Sequence, residues 1–427
     1  MKTPFCRPVV GLVLAVFLAA AGCDSPFDLV TTPPPPGGVE IPIKSDLYLA
    51  VGASINGHDV NVLLDTGTVL FNVAPPSAIE RFGLRASSPN PYADDGTDDV
   101  GVCRNTASNP RFGDTLYTAD RVEIGGVVIE NVAFVILTED GFNSFDGIRV
   151  DCILNGALLA QFDWQVDGYG RRLSLFPEGE LAAPASPSVV KAIGPNPPPL
   201  FQLLYGAVPK MGGLSTFIRF ASPDREEVEA LMDTGGGIEI AMGQSVFDDT
   251  GWNLDDLPSL ATGLFGAGGE CRTTRFRAPM IAVNQQEYEN IHTIILPDSA
   301  FGLMGWRFLA NHETVRVSPT RQWIEFVKGA ETDGYFDVPV TTFGFDLKRQ
   351  ADGSLRVSRV TAGSDAEAAG VEKDQTLLEV NGVSVDTLEG VSLIFGPEIM
   401  RAGEALFLFE DSEGNMVPAQ LTGTPLI

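Results

Sequence analysis

The feature that most constrains this chain is that it repeats itself. "VNVLLDTGTVLFNV", residues 60–73, returns as "VEALMDTGGGIEIA", residues 228–241, and sets Asp65 against Asp233 at an offset of 168. The same offset relates "GVCRNT" (Gly101–Thr106) to "GECRTT" (Gly269–Thr274). A looser match then joins "CILNGALLAQFDWQVDGYGRRLSLF", from Cys152, to "GLMGWRFLANHETVRVSPTRQWIEF", from Gly302. The first copy is longer between its Cys-Arg and this last segment, which places an insertion between Arg104 and Ile153. Each copy is an apolar strand ending in Asp-Thr-Gly, followed later by an apolar pair, a Gly and a strand–turn–strand. A carboxylate embedded in such a strand costs several kcal/mol if it is buried alone. Two copies supply a reason for the cost, because each acid can be the other's partner.

Composition agrees with a β-rich reading. Val, Thr, Phe and Ile are plentiful, the 46 Gly and 30 Pro supply turns, and long helical runs are scarce. The 427 residues allow roughly three domains. A net charge of −28, more negative still once Lys2 and Arg7 are removed with a leader, argues against nucleic acid or anionic lipid as a partner. "DDGTDD" (Asp94–Asp99) lacks the spacing and final Glu of an EF-hand and reads as a solvated loop. His58, His292 and His312 form no pair at ligand spacing, so no metal site, no Ser/His/Asp arrangement and no cofactor is expected.

Residues 1–22 read as a targeting signal: Lys2 and Arg7 precede the apolar run "VVGLVLAVFLAAAG". "LAAAGC", ending at Cys23, resembles the bacterial lipobox, although Ala20 stands where Leu is usual. The resemblance implies a lipidated Cys23 and a lipid-anchored protein of the bacterial cell envelope, facing the periplasm or the cell surface. An ordinary cleaved signal or a single membrane helix is the alternative. Residues 23–38, with "TTPPPPGG", read as a semi-extended spacer.

With two Asp-Thr-Gly copies and their shared later elements, the chain resembles the aspartic proteases, most closely the bacterial retropepsin-like group. The resemblance spans roughly residues 40–330 and implies two pseudo-symmetric β-barrel lobes, 39–178 and 201–330, fused as one monomer with a pseudo-dimeric site. It implies Asp65 and Asp233 as the catalytic pair, with Thr66, Gly67, Thr68, Thr234 and Gly235 supporting their loops. It places flaps around Gly101 and around Gly266, Gly268 and Gly269. The apolar-apolar-Gly motif is Leu303-Met304-Gly305 in the second copy; in the first, Ile153-Leu154-Asn155-Gly156, Asn155 interrupts it. The second copy fits the family pattern better. The substrate implied is a peptide or unfolded protein. Chemistry asks for the pair: one ionised carboxylate activates water, one protonated carboxyl polarises the carbonyl, and two like charges in contact cannot both ionise. After the tripeptides stand Thr68 and Gly236, so only Asp65 gains a hydroxyl donor. Asp65 is therefore expected to be ionised more readily and Asp233 to be the protonated partner.

Residues 179–200 are Pro/Ala-rich and read as the interlobe linker. Residues 331–427 form a further unit. Within it, "TTFGFDLKRQADGSLRVSRVTAGSDAEAAGVEKDQTLLEVNGVSV" (341–385) resembles a PDZ domain, an α+β fold, with Phe343, Gly344 and Phe345 as the peptide carboxylate-binding loop. Asp374-Gln375 replace the usual Gly-Asp. Cys103, Cys152 and Cys271 leave an odd number of thiols, compatible with a Cys103–Cys271 bond between flaps, a Cys103–Cys152 bond, or three buried thiols. Two functions follow: an aspartic endopeptidase with a substrate- or partner-binding PDZ domain, or a non-catalytic peptide-binding lipoprotein on a degenerate protease fold.

Overall fold

The computed structural model describes residues 30–425 except 46, 69–71, 91–112, 138–149, 186–187, 190, 194–212, 221–225, 267–268, 284–285, 297–301, 331, 333–340, 351–353, 386–398 and 400–401. The chain is mainly β, as two retropepsin-like lobes followed by a PDZ-like domain.

Both lobes weave their strands in the same order. In lobe 1, His58–Asp65 runs parallel to Cys152–Asn155, which lies antiparallel to Asn72–Ala74, which in turn runs parallel to Val127–Ile136. In lobe 2, Glu227–Asp233 takes Gly302–Gly305 as its parallel neighbour, then Ile240–Gly243 antiparallel, then Gln286–Leu296 parallel. Alternation divides each sheet into two faces. Val62, Leu64, Met232, Ile240 and Met304 point into a core shared by both lobes. Leu63, Val73, Val135 and Ile153 point the other way, on the face that carries Asp65, and belong to one continuous buried apolar cluster with the PDZ-like core.

A six-stranded sheet joins the lobes, in the order Ser188–Val189, Trp323–Val327, Thr314–Ser318, Asp163–Asp167, Arg172–Phe176, Val39–Pro42. Its central seam pairs Trp164 with Val317 and Val166 with Val315. Parts of the expected spacer and linker are thereby structured. Val30–Thr31 pairs with Ile129 and Glu130, Ser188–Val189 closes the joining sheet, and Lys191–Ile193 adds to lobe 2.

In the C-terminal domain the strands Phe345–Arg349, Leu355–Val360, Thr376–Val380, Glu404–Glu410 and Met416–Thr422 pair in that order. Phe343, Phe345, Phe407 and Phe409 stack edge to face in its core. The departure at Asp374-Gln375 is accommodated locally. Asp374 itself takes the left-handed conformation that a Gly would adopt, at φ 71°. Gln375 is buried, accepting from the Glu372 amide and donating to the Gly370 carbonyl.

Candidate active site

Asp65 and Asp233 end equivalent strands, and each carboxylate is held by its own loop. The amides of Gly67 and Thr68 donate to Asp65 Oδ1 at 2.7 and 3.1 Å, and the Thr68 hydroxyl donates to Asp65 Oδ2 at 2.5 Å. On the other side the Gly235 amide donates to Asp233 Oδ1 at 3.1 Å, and no hydroxyl stands at Gly236. The two threonines cross between lobes. Thr66 Oγ1 donates to the Met232 carbonyl at 2.6 Å and Thr234 Oγ1 to the Leu64 carbonyl at 2.5 Å. Each hydroxyl also accepts the other threonine's amide, at 3.0 and 3.2 Å. Both are fully buried, so these four bonds fix the two loops against each other.

The carboxyls meet at this cross-brace. A Cβ placed on Gly67 would sit 2.5 Å from Asp233 Oδ1 and 3.1 Å from Asp65 Oδ1, and one on Gly235 would collide with the Asp65 carboxylate. Only glycine allows so close an approach of the backbone. Burial pushes the Asp233 carboxyl well above its ordinary value, and the charge of and hydrogen bond with Asp65 push it further, against the lowering effect of the Gly235 and Gly236 amides. A carboxyl held protonated beside another carboxylate is suited to donate a hydrogen bond to a carbonyl.

The flap positions are described in part. Gly266 and Gly269 are the last paired positions of the hairpin formed by Ser259–Gly266 and Gly269–Val283. Gly268 and, in the first copy, Gly101 lie outside the described residues, as do Cys23 and Cys103. Cys152 is buried and free, and burial followed by the charge of Asp151 pushes its thiol far up; the pairings expected of Cys103 lie outside the described residues.

Asn155 does not interrupt the apolar pattern in space. It lies opposite Asp65 as Gly305 lies opposite Asp233, so the equivalent of Leu303-Met304-Gly305 is Ile153-Leu154-Asn155 and Gly156 falls one place beyond. In the PDZ-like loop Gly344 has φ 84°, and a Cβ there would enter the Ser364 side chain. Beside it, among the described residues, Phe345–Arg349 is an edge strand with a single neighbour, Leu355–Val360.

What sequence reading missed is a charged group on the face of lobe 2 that carries Asp233. Glu239, His292, Arg275 and Arg307 gather on lobe 2, and Glu239 pairs with Arg307 at 3.3 Å. Glu239 precedes the strand Ile240–Gly243, Arg275 and His292 lie on the neighbouring strands Gly269–Val283 and Gln286–Leu296, and Arg307 on the short helix Trp306–Ala310, so only the fold brings them together.

Family models match two parts of the chain. Residues 51–155 match the family model described as aspartyl protease, and residues 337–393 match that of the PDZ domain. The protease match falls on the first copy, the one whose motifs read less regularly. No curated protein matches the chain. Among solved structures, a retropepsin-like aspartic protease from Rickettsia conorii is similar at 16% identity, covering 27% of this chain and 82% of that one, with a TM-score of 0.20.

Proposed function

We propose that the chain is an aspartic endopeptidase in which Asp65 and Asp233 act as one coupled dyad. The observation that carries this is the meeting of the two carboxyls, one with a donated hydroxyl and one held up by burial and by its partner. Asp65, ionised, takes a proton from the attacking water. Asp233, protonated, hydrogen-bonds the scissile carbonyl and stabilises the oxyanion as it forms; proton return to the departing amine completes hydrolysis. The hairpin ending at Gly266 and Gly269 is the flap of lobe 2.

The PDZ-like domain takes a peptide C-terminus. The free edge of Phe345–Arg349 accepts it as an added strand, and the amides around Gly344 receive its carboxylate. Lipidation at Cys23 would hold the whole on a membrane of the bacterial cell envelope; incorporation of labelled fatty acid, lost in Cys23→Ala, tests that part.

For the chemistry, the test is cleavage of an unfolded protein across acidic and neutral pH. Wild type is expected to cut, and Asp65→Asn and Asp233→Asn to lose on the order of a thousandfold or more, as when one member of a coupled catalytic unit is removed. Equal inertness of all three over the whole range would favour the peptide-binding reading instead.

A further inference from the structure

The two half-clefts share a strand layout and differ in chemistry. In lobe 2 one row of cross-strand neighbours runs from Asp233 through Gly305 and Glu239 to His292 and Arg277. The next row runs Leu231, Leu303, Ala241, Ile294, Arg275. Alternation puts both rows on the face that carries Asp233. Lobe 1 builds the corresponding rows from Asp65 and Asn155, and from Leu63, Ile153, Val73 and Val135. By register the counterparts of Arg275, His292 and Arg307 are Leu116, Ala133 and Ala157. Where one half is apolar, the other carries two guanidinium groups and an imidazole around one carboxylate.

This cluster is not a requirement of the fold, since lobe 1 forms the same strands with Leu and Ala at those places. Nor, among the described residues, do its charges balance. Glu239 is almost fully buried and answers one guanidinium of the two. Burial would raise its carboxyl, yet Arg307, His292 and Arg275 outweigh that and hold it below the ordinary value. Arg275 keeps part of its surface exposed, but its Nε is enclosed and has no hydrogen-bond partner among the described residues. An enclosed donor with a surplus of positive charge is stabilised by an arriving carboxylate, and discriminates strongly against a neutral group of the same shape. The position is also right for a substrate. Glu239 stands two strands from Asp233, about 10 Å at ordinary strand spacing, and Arg275 is on the strand that carries the flap glycine Gly269.

We propose that Arg275, with Glu239, His292 and Arg307 around it, is a specificity site that takes the carboxylate of an Asp or Glu side chain of the bound peptide, on the lobe 2 side of the dyad. The site rests on the peptidase reading of the cleft and names what that cleft selects. Arg275 is the donor to the substrate carboxylate; Glu239 competes with that carboxylate for the cations and sets how strongly it is held. A chain with a net charge of −28 would otherwise repel acidic peptides, so the preference is a local exception to the overall field.

The test reads binding, so it does not depend on turnover. Full-length Asp233→Asn protein is immobilised and exposed to random octapeptides with amidated C-termini, which give the PDZ carboxylate loop nothing to hold. Retained peptides are sequenced. Acidic residues are expected to be enriched at one aligned position, and adding Arg275→Leu, the residue lobe 1 uses, is expected to reduce that enrichment about tenfold, the worth of one charge-assisted hydrogen bond. Arg275→Gln, a second variant that keeps a polar side chain, is expected to do the same, while Glu239→Gln strengthens the preference. Circular dichroism and melting identify any variant that has not folded. Absence of retained peptides, absence of acidic enrichment, or equal enrichment with and without Arg275 overturns the proposal. A wild-type protein that cuts nothing overturns only the peptidase reading, because peptide selection is measured on a variant that need not cut.

Discussion

Thr68 and Gly236 occupy the same place after the two Asp-Thr-Gly tripeptides, and the dyad's asymmetry begins there. The Thr68 hydroxyl donates to Asp65 Oδ2, while among the described residues Asp233 accepts from backbone amides alone. Thr68→Ala is expected to lower kcat/KM about tenfold, the size of a lost hydrogen bond to a charged group. An unchanged kcat/KM removes Thr68 from the mechanism. Asp233 supplies a second prediction, on stability. Its folded carboxyl binds a proton more tightly than the ordinary value of 3.8 allows, so its contribution to stability is present below that value and is lost as pH rises through the raised one. Asp233→Asn should therefore melt higher than wild type by a margin that is larger at pH 7 than at pH 3. Equal margins at the two pH values would contradict the raised carboxyl. This asymmetry was legible in the sequence, since a hydroxyl is a matter of residue identity. The contact behind Gly236 was not: a Cβ there would stand 2.7 Å from Asp233 Oδ2, a fact of backbone placement that residue types do not carry.

Strand register decides what the third motif does. In sequence, the match from Cys152 to Gly302 sets Asn155 on Gly305, while the apolar-apolar-Gly pattern points to Gly156 and makes Asn155 look like an interruption. The parallel pairing Asp65 with Asn155 and Asp233 with Gly305 shows that Asn155 fills the glycine's place. In lobe 1 the Asn155 amide donates to Asn72 Oδ1 at 2.9 Å, and Asn155 Oδ1 accepts from the Ala157 amide at 3.1 Å. In lobe 2 the Gly305 amide donates to the Glu239 carbonyl, and a Cβ on Gly305 would run into the Ile238 carbonyl oxygen. Backbone cannot yield as a side chain tip can. Gly305→Ala is expected to cost more than about 3 kcal/mol in urea unfolding, and Asn155→Ala about 1–2 kcal/mol for one lost buried hydrogen bond. Similar losses would mean that the two strands are not held differently. Both Asp strands and the lobe 2 hairpin were readable, because apolar runs, Asp-Thr-Gly and clustered glycines are local signals. The charged group of Glu239, Arg275, His292 and Arg307 was not, because its members become neighbours only through the pairing of distant strands.

At the scale of the whole molecule, two half-sites become one site only if the lobes stay docked, and the joining sheet does the docking. Nothing in the sequence announces that Trp164 lies opposite Val317, since such pairing is set by shape and burial across an intervening lobe. The same seam contains a carboxylate with no access to solvent. Asp163 Oδ2 accepts from the amides of Gly179 and Leu181 and from Arg321 of the other lobe, whose side chain is 34% exposed. Removing the cation would leave Asp163 charged in the interior with two amides for company. Breaking a fully buried pair costs about 3–5 kcal/mol. With Arg321 partly in solvent, about 2–3 kcal/mol is expected for Arg321→Ala, lowering the urea midpoint by roughly 1 M. Trp164 and Trp323 are both buried in this sheet, so their fluorescence reports its integrity. If docking is what completes the dyad, hydrolysis and tryptophan fluorescence should lose their signals at the same urea concentration, in wild type and in Arg321→Ala alike. Activity lost well before the fluorescence changes would mean that the cleft opens with the sheet intact, and that the Thr66–Thr234 cross-brace yields first.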